Sequence, residues 1–429
     1  MYPELLREAH DPEVATRRFE QLCEHSIIRD HLPRFSREEL STFIRLISIS
    51  DFLFRYLHRQ PEKITCLPDN GTPGEIDPGA IVDASELREY KYQELLKIAW
   101  QDIAARSPYE TVLHRLSALA RKIIGVSLEL TGKQTGSDMS SFCVFAMGKL
   151  GADELNFSSD IDLIFVAREF PENTADVHEL QSGIYNHIRR FNQLMQQQDE
   201  NGMLYRVDLN LRPLGRSGPL ALSIDETEHY YEASTEAWER FAWLRAQVIA
   251  GNLELGRELL ERIQPFIYLR SLSSDDLRRF VEIKQMMARQ RKRDGNWNVK
   301  LGEGGIRDIE FFIQMLQLVN ADSHPVLKVT HTLSVLQSLV DTGYIDAAEG
   351  QVIRDSYLFL RRLENHLQMI DEQQTHQLPD DRTARNRIAA SMGYSIVSSD
   401  TTSENFDEKL MLSREVAMRC FNKILPDRE

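Results

Sequence analysis

Cysteine is scarce in this sequence, and its spacing carries no binding motif. Only four of the 429 residues are cysteines, and none belongs to a C-x-x-C pair: Cys23, Cys66, Cys143 and Cys420. This pattern excludes a disulfide framework and a cysteine zinc site. The twelve histidines also lack the spacing of metal ligands. We therefore expect buried, reduced thiols in a cytoplasmic protein.

Long apolar runs and an excess of basic residues are missing as well. No hydrophobic stretch approaches the length that spans a membrane, and the N-terminus has no signal-peptide pattern. Aspartate and glutamate number 66 against 51 lysines and arginines, which gives a formal net charge of −15. Nucleic-acid binding favours a basic face instead. The composition predicts no membrane and no nucleic-acid partner, and a substrate that is a protein or a small molecule.

Two aspartates at the start of an apolar segment are the most informative feature of the chain. Asp160 and Asp162 are separated by Ile161 and followed by the apolar residues 163–165. Residues i and i+2 of a strand project from the same face, so both carboxylates point the same way. Two adjacent anions are costly unless a positive charge lies between them. Because carboxylate oxygens suit Mg²⁺ or Mn²⁺, the pair predicts a divalent cation site.

The residues that precede this pair resemble a known arrangement. Residues 142–147 form a short apolar run with strand character, and Gly148 and Lys149 end it. A strand, a glycine turn, a short helix and a strand that opens with Asp-x-Asp resemble the polymerase-β-like nucleotidyltransferases. The glycine turn lets backbone N–H groups approach a phosphate. The alternative is a chance acidic pair at a strand edge, capped by serines.

Asp208 is the best candidate for a third carboxylate. Residues 203–211 alternate apolar and polar side chains, as a half-buried strand does. The alternation places Asp208 on the same face as Arg206 and Asn210. If this strand neighbours the strand that carries Asp160 and Asp162, the three carboxylates converge and could hold two metal ions about 4 Å apart. The alternative is a polar, solvent-facing strand surface without a metal.

Four residues are candidates for contact with a phosphate group: Gly148, Lys149, Ser159 and Arg212. Lys149 and Arg212 could bind phosphate oxygens, although each is equally a candidate surface cation. Ser159 is predicted to support Asp160 locally, because serines cap turns of this kind. The glycines of 300–311 (KLGEGGIRDIEF) could form an anion-binding nest, and a plain glycine-rich turn is the alternative.

Hydrophobic periodicity divides the chain into three regions. Helical spacing recurs across 1–131, which predicts an N-terminal helical region. Residues 132–224 combine strand patterns with an amphipathic helix at 176–198, after a linker at 131–141. Helical patterns return over 225–429 and predict a C-terminal bundle. The predicted fold is therefore α+β and predominantly helical, with a small mixed-sheet core of the polymerase-β-like nucleotidyltransferase type between two helical regions.

Four separated motifs together resemble one family, the glutamine synthetase adenylyltransferases. They are 147–165 (MGKLGADELNFSSDIDLIF), 205–223 (YRVDLNLRPLGRSGPLALS), 300–311 (KLGEGGIRDIEF) and 361–379 (RRLENHLQMIDEQQTHQLP). Enzymes of this family carry two nucleotidyltransferase halves in one polypeptide. The sequences of the segments ELNFSSDIDL and GGIRDIEF resemble those of the N-terminal half.

The resemblance implies the activity of that half. It removes AMP from a modified tyrosine of glutamine synthetase by attack of inorganic phosphate and releases ADP. The resemblance also implies that Asp160, Asp162 and Asp208 bind Mg²⁺ or Mn²⁺, with Gly148 and Lys149 at the phosphate turn. Its implied partners are glutamine synthetase and the PII signalling protein, with glutamine as an effector.

Two positions depart from the family pattern. Ala146 stands where the family usually has glycine, and Asn210 stands where it often has arginine, which removes a cation from the Asp208 face. Three alternatives stay open. The chain could adenylylate glutamine synthetase with ATP, as the other half does, or it could be a non-catalytic module that responds to PII or glutamine. The third alternative is a nucleotidyltransferase that acts on a small molecule.

Overall fold

The computed structural model describes residues 2–68, 83–105, 107–169, 174–200, 202–233, 236–268, 274–294, 298–394 and 405–424. For residues 174–179, 237, 274–277 and 290–294 it describes the backbone only. Helices dominate these ranges, and five short strands form one sheet. No helix among the described residues has the length and apolar character needed to cross a membrane.

The helices and strands follow one another in a simple order along the described ranges. The helices are α1 Tyr2–Arg7, α2 Pro12–Cys23, α3 Ser26–His31, α4 Arg37–Ile49, α5 Asp51–Arg59, α6 Ala84–Ile103, α7 Tyr109–Thr135, α8 Gly148–Gly151, α9 Thr174–Gln196, α10 Ile224–Ala233, α11 Ala237–Trp243, α12 Leu253–Arg262, α13 Gln264–Ile267, α14 Ser274–Asp294, α15 Ile306–Asn320, α16 Thr332–Asp341, α17 Ala347–Met369, α18 Arg382–Ser391 and α19 Phe406–Lys423. The strands are β1 Phe142–Ala146, β2 Ile161–Ala167, β3 Val207–Asp208, β4 Ala221–Ser223 and β5 Gln247–Gly251. Long helical stretches therefore precede and follow the segment that forms the sheet.

The sheet is mixed, and β2 lies at its centre. Strand β1 pairs antiparallel with β2, from Phe142 opposite Ala167 to Ala146 opposite Leu163. Strands β3 and β4 both pair with β2 in parallel, whereas β5 pairs antiparallel with the other edge of β1. The first residues of β2 therefore lie beside β3, and its last residues lie beside β4.

The two faces of the sheet pack against different helices. On one face, Leu163 and Phe165 join the core of α9 and the N-terminal helices. On the other face, Ile164 and Val166 join the core of α12, α15, α17 and α19. Burial of both faces explains why β2 is a nearly continuous apolar run. The predicted fold class is confirmed, while the region boundaries at 131 and 224 stay a prediction.

The third strand is shorter than the sequence indicates. The prediction of a strand over 203–211 is confirmed only for Val207–Asp208, which pair with β2, and its bounds are wrong. Oδ1 of Asp208 accepts a hydrogen bond from the Asn210 N–H at 2.7 Å, so the chain turns directly after this residue. Alternation of apolar and polar side chains does not report this local side-chain bond.

Two other boundaries also differ from the sequence prediction. Helix α7 continues to Thr135 and ends at Gly136, so the predicted linker at 131–141 is partly helical. Strand β5 lies in the region 225–429, where helices alone were expected. Its five residues include only two β-branched side chains, Val248 and Ile249, which is too weak a signal to stand out between helices.

Candidate active site

Asp162 and Asp208 face each other across neighbouring strands. They are directly paired in the parallel ladder of β2 and β3, where the N–H of Ile161 also donates to the carbonyl of Arg206 at 2.9 Å. Both side chains therefore project from the same side of the sheet. The strand pairing brings together two carboxylates that are far apart in the sequence.

The proximity of these carboxylates has an electrostatic cost at Asp162. Burial and the negative charge of Asp208 raise the pKa of Asp162 to about 6, while the positive charges of Lys300 and Lys149 act in the opposite direction. Desolvation and a like charge both favour the neutral form of a carboxyl group. The nearby lysines therefore do not fully offset the negative charge of the two carboxylates.

Gly148 lies against the same carboxylate. Its φ is +57°, and a Cβ built at this position would be 3.0 Å from Oδ2 of Asp162. The N–H of the preceding Met147 donates to the backbone carbonyl of Asp162 at 2.9 Å. The turn after β1 therefore approaches Asp162 closely because it carries no side chain at Gly148.

Asp160 lies just before β2 and has a different partner. Nε of Arg206 donates to Oδ1 of Asp160, and both side chains are about one-third exposed. No group of three or more histidine, cysteine, aspartate or glutamate side chains in the described ranges is arranged to hold a metal. The structure therefore brings Asp162 and Asp208 together and leaves Asp160 paired with Arg206.

The donor chemistry of the pair still fits a hard divalent cation. Asp162 and Asp208 supply carboxylate oxygens, which Mg²⁺ and Mn²⁺ prefer. Burial and the charge of Asp208 raise the pKa of Asp162, and a cation between the two carboxylates would offset both effects. Asp160 completes a three-carboxylate set only if it exchanges its bond with Arg206 for the cation.

A cavity of about 420 Å³ opens beside the carboxylates. Its charged lining residues are Asp160, Arg206, Asp208, Arg212 and Arg216, and its other lining residues are Asn192, Val207, Leu209, Asn210 and Leu220. Its volume falls within the range of small-molecule sites. Three guanidinium groups around two carboxylates suit an anionic ligand bound together with a cation.

Arg212 is a candidate phosphate residue that the structure places within a loop. Its guanidinium donates to the carbonyls of Leu209 at 2.7 Å, Pro219 at 2.9 Å and Gly218 at 3.2 Å. In this conformation the side chain holds the loop that forms one wall of the cavity. Arg216 is more exposed and donates from Nε to Oδ1 of Asn210 at 3.1 Å.

Lys149 is buried and bound to a helix of the C-terminal region. Its Nζ lies 2.7 Å from Oε1 and 2.8 Å from Oε2 of Glu364, and Nδ1 of His376 lies 2.8 Å from Oε1 of the same carboxylate. Burial lowers the pKa of Lys149 to about 7, although the charge of Glu364 opposes the shift. The ammonium group is directed to Glu364 rather than to the cavity.

Ser159 and the glycine-rich segment have local roles in this conformation. Oγ of Ser159 accepts from the N–H of Asn156 at 3.3 Å, next to Asp160. In the segment 300–311, Ile306 donates to Val299 at 2.9 Å and Arg307 donates to Lys300 at 3.1 Å. Among the glycines, the N–H groups of Gly302 and Gly305 donate to the carbonyls of Asn298 and Gly302, and that of Gly304 donates to Oδ2 of Asp308 at 2.9 Å. The segment is a glycine-rich turn in this conformation, and the carboxylate that one of its glycines binds is its own Asp308.

Three residues at the site escaped the sequence analysis: Arg206, Lys300 and Glu364. Arg206 shares the alternating face of Asp208, and that position was a usable signal. Lys300 opens the glycine-rich motif, but no sequence spacing relates it to Asp162. Glu364 lies within the fourth motif, and nothing local indicates that it binds Lys149.

Comparison with known proteins agrees with these motifs. The family model described as glutamate-ammonia ligase adenylyltransferase matches residues 40–262, and a second model, described as GlnD PII-uridylyltransferase, matches residues 279–425. The first match includes all five strands and each of the three aspartates. It therefore covers the entire carboxylate site.

Several relatives carry the name bifunctional glutamine synthetase adenylyltransferase/adenylyl-removing enzyme. The relative from Stenotrophomonas maltophilia (strain K279a) is 34% identical over 83% of this chain and 40% of its own length. Those from Hahella chejuensis and Thioalkalivibrio sulfidiphilus are 33% and 34% identical over 85% and 91% of this chain, and each match covers 42% of the relative. The chain thus spans about two-fifths of the length of these relatives. It belongs to the glutamate-ammonia ligase adenylyltransferase family.

Proposed function

We propose that this chain removes AMP from an adenylylated tyrosine of glutamine synthetase and releases ADP. The observation that carries the proposal is the pairing of Asp162 with Asp208 across parallel strands, beside an arginine-lined cavity. The names of the relatives combine adenylyl transfer with adenylyl removal. Resemblance of 154–163 (ELNFSSDIDL) and 304–311 (GGIRDIEF) to the N-terminal half favours removal.

The reaction is a displacement at phosphorus. An oxygen of inorganic phosphate forms a bond to the phosphorus of AMP, the bond from that phosphorus to the tyrosine oxygen breaks, and the tyrosinate takes a proton from solvent. The phenol of tyrosine has a pKa of about 10, so tyrosinate is a tolerable leaving group. The main difficulty is to bring the phosphate anion to an anionic phosphodiester.

The residues of the site address this repulsion. Asp162 and Asp208, joined by Asp160, would hold Mg²⁺ or Mn²⁺, which supplies positive charge between the anions. Arg206 and Arg216 line the cavity and add positive charge there. The remaining candidates act as supports: Gly148 gives the turn access to Asp162, Ser159 fixes the residues before Asp160, and Arg212 and Lys149 hold the cavity wall and the turn.

The direct test is product analysis with adenylylated glutamine synthetase, phosphate and Mg²⁺. We expect ADP and unmodified glutamine synthetase as products, and no ADP from Asp162→Asn. The matched control is Asp322→Asn, which changes an exposed aspartate away from the carboxylate site and should leave turnover intact. Undiminished ADP release by Asp162→Asn would remove the basis of the proposal.

A second arm of the experiment separates the alternatives. Unmodified glutamine synthetase is supplied with ATP and Mg²⁺, and incorporation of AMP is measured. Incorporation of AMP without ADP release in the first arm would assign adenylylation instead. Absence of product in both arms, with binding of PII or glutamine, would assign a non-catalytic regulatory module.

A further inference from the structure

Helix α17 presents an unusual row of buried polar side chains. Arg361, Glu364, Asn365 and Gln368 are fully buried, and their spacing of i, i+3, i+4 and i+7 places them on one face of the helix. We call these four residues the α17 polar face. Large polar side chains are seldom buried unless specific partners require them. The partners of this face therefore indicate its purpose.

Three of the four residues bind the segment that leads to Asp160. Arg361 donates from Nη2 to the carbonyl of Glu154 and, at 2.7 Å, to Oδ1 of Asn156. Oδ1 of Asn365 accepts from the Phe157 N–H at 2.8 Å, and Oε1 of Gln368 accepts from the Ser158 N–H at 2.9 Å.

These backbone groups belong to no helix or strand. Residues 154–160 are irregular, and most of the segment is buried. Buried backbone groups need hydrogen-bond partners. Side chains of α17 supply the partners that a regular element would otherwise provide, so the path of the chain into β2 depends on this helix.

The fourth residue of the face, Glu364, binds Lys149 in the turn that follows β1. Glu364 holds Nζ of Lys149 through both of its carboxylate oxygens, at 2.7 and 2.8 Å. Lys149 follows Gly148, which lies against Asp162. One helix thus fixes the turn beside Asp162 and the segment that carries Asp160.

We propose that the α17 polar face is a positioning element for the carboxylate site. Its residues touch neither the cavity nor the reacting atoms, and they act by fixing where Asp160 and Asp162 stand. The effect on turnover rests on the proposed function, whereas the effect on cation binding does not. Residues that orient metal ligands typically change affinity by about 10- to 100-fold when replaced.

The test uses three variants of the full chain. Gln368→Met removes the acceptor for the Ser158 N–H while it keeps a side chain of similar length. Gln368→Glu restores an oxygen acceptor. Leu363→Ala is the control, because it truncates a fully buried residue of the apolar core on the same helix without removing any contact of the α17 polar face.

Binding of Mn²⁺ is measured by paramagnetic resonance titration, and turnover is measured by ADP release. We expect Gln368→Met to weaken Mn²⁺ binding by about 10- to 100-fold and to lower kcat by about 100-fold, with the KM for glutamine synthetase unchanged. Gln368→Glu should recover most of both quantities. Leu363→Ala should lower the melting temperature but keep both near the wild-type values.

The outcomes separate the two proposals. Wild-type affinity and kcat in Gln368→Met, or an equal loss in Leu363→Ala, would overturn the positioning role. A wild-type chain that binds no Mn²⁺ would overturn it as well. If the wild type binds Mn²⁺ but releases no ADP, and Gln368→Met still weakens binding, the proposed function fails and the positioning role stands.

Discussion

A methyl group at Gly148 would lie 3.0 Å from Oδ2 of Asp162. The same glycine has a φ of +57°, so Gly148→Ala adds backbone strain of about 1 kcal/mol as well as a steric conflict. We expect the conflict to displace the Asp162 carboxylate and to lower ADP release by about 100-fold.

The control for Gly148→Ala is Gly136→Ala. Gly136 has a φ of +66°, and among the described residues no atom outside its own chain neighbours lies within 4 Å of the position that a methyl group would take there. The control variant therefore has the backbone strain of an alanine at positive φ but no steric conflict with a neighbouring side chain. Both variants should lose stability in thermal unfolding, Gly148→Ala at least as much as Gly136→Ala, and only Gly148→Ala should lose activity. Equal activities would show that Asp162 tolerates displacement.

Because the pKa of Asp162 is raised, replacing its carboxylate with a neutral side chain should increase the free energy of unfolding. The pKa is 3.8 for an unperturbed group and about 6 in the folded protein, so between these values the folded state binds more protons than the unfolded state. The free energy of unfolding therefore falls as the pH rises through this window. In the presence of a chelator, Asp162→Asn should be about 3 kcal/mol more stable than the wild type at pH 7.

This gain should disappear near pH 4, where the carboxyl group is protonated in the folded state. Urea unfolding at a series of pH values measures the effect, with Asp322→Asn as the exposed control. Excess Mg²⁺ should reverse the order at pH 7, because it stabilises only the protein that binds it. A variant less stable than the wild type at pH 7 without metal contradicts the electrostatic account.

The buried pair of Lys149 and Glu364 predicts strong energetic coupling. Glu364→Gln removes the buried counter-charge that Lys149 shares with Arg361 and should cost about 3–5 kcal/mol. The double variant Lys149→Met/Glu364→Gln should recover part of this loss. A double-mutant cycle in urea then gives a coupling energy of about 2–3 kcal/mol.

The exposed pair of Lys423 and Glu349 is the reference for that cycle. Its side chains are 51% and 31% exposed, so its coupling energy should stay below about 1 kcal/mol. Similar coupling in the two cycles would mean that burial of Lys149 adds nothing to the interaction.

The hydrogen bonds of Arg212 should hold the loop at the cavity wall in a way that a lysine side chain cannot replace. Its guanidinium binds three loop carbonyls within 3.2 Å, at Leu209, Gly218 and Pro219. A lysine ammonium lacks this planar fork of donors. Arg212→Lys should speed amide hydrogen exchange in residues 209–219 by about tenfold, which corresponds to the loss of about one net hydrogen bond. Arg257→Lys, at an exposed helical position, should leave that exchange unchanged.

The sequence predicts much of the fold because its cues are local and periodic. Apolar spacing in residues 110–130 anticipates α7, and the short apolar run 142–147 anticipates β1. The same reasoning fails for 203–211, where the side chain of Asp208 bonds the backbone of Asn210 and ends the strand. Periodicity reports burial and does not report such local bonds.

The candidate site is only partly accessible from sequence. The alternating pattern puts Asp208 on a strand, and the pairing of that strand with β2 brings it to Asp162. The partner of Lys149 is Glu364, which belongs to a distant helix. A contact between side chains so far apart in the chain leaves no periodic signal, so the sequence predicts Lys149 only as a phosphate contact or a surface cation.

The late position of β5 has a consequence for synthesis of the chain. Strand β1 is wholly apolar, and β5 covers the edge of it that β2 leaves open. Until the ribosome has extruded Gly251, the amides along that edge of β1 have no partner, and such edges readily recruit strands from other molecules. A nascent or proteolysed chain that ends at residue 224 should therefore precipitate, even though it already contains all three aspartates.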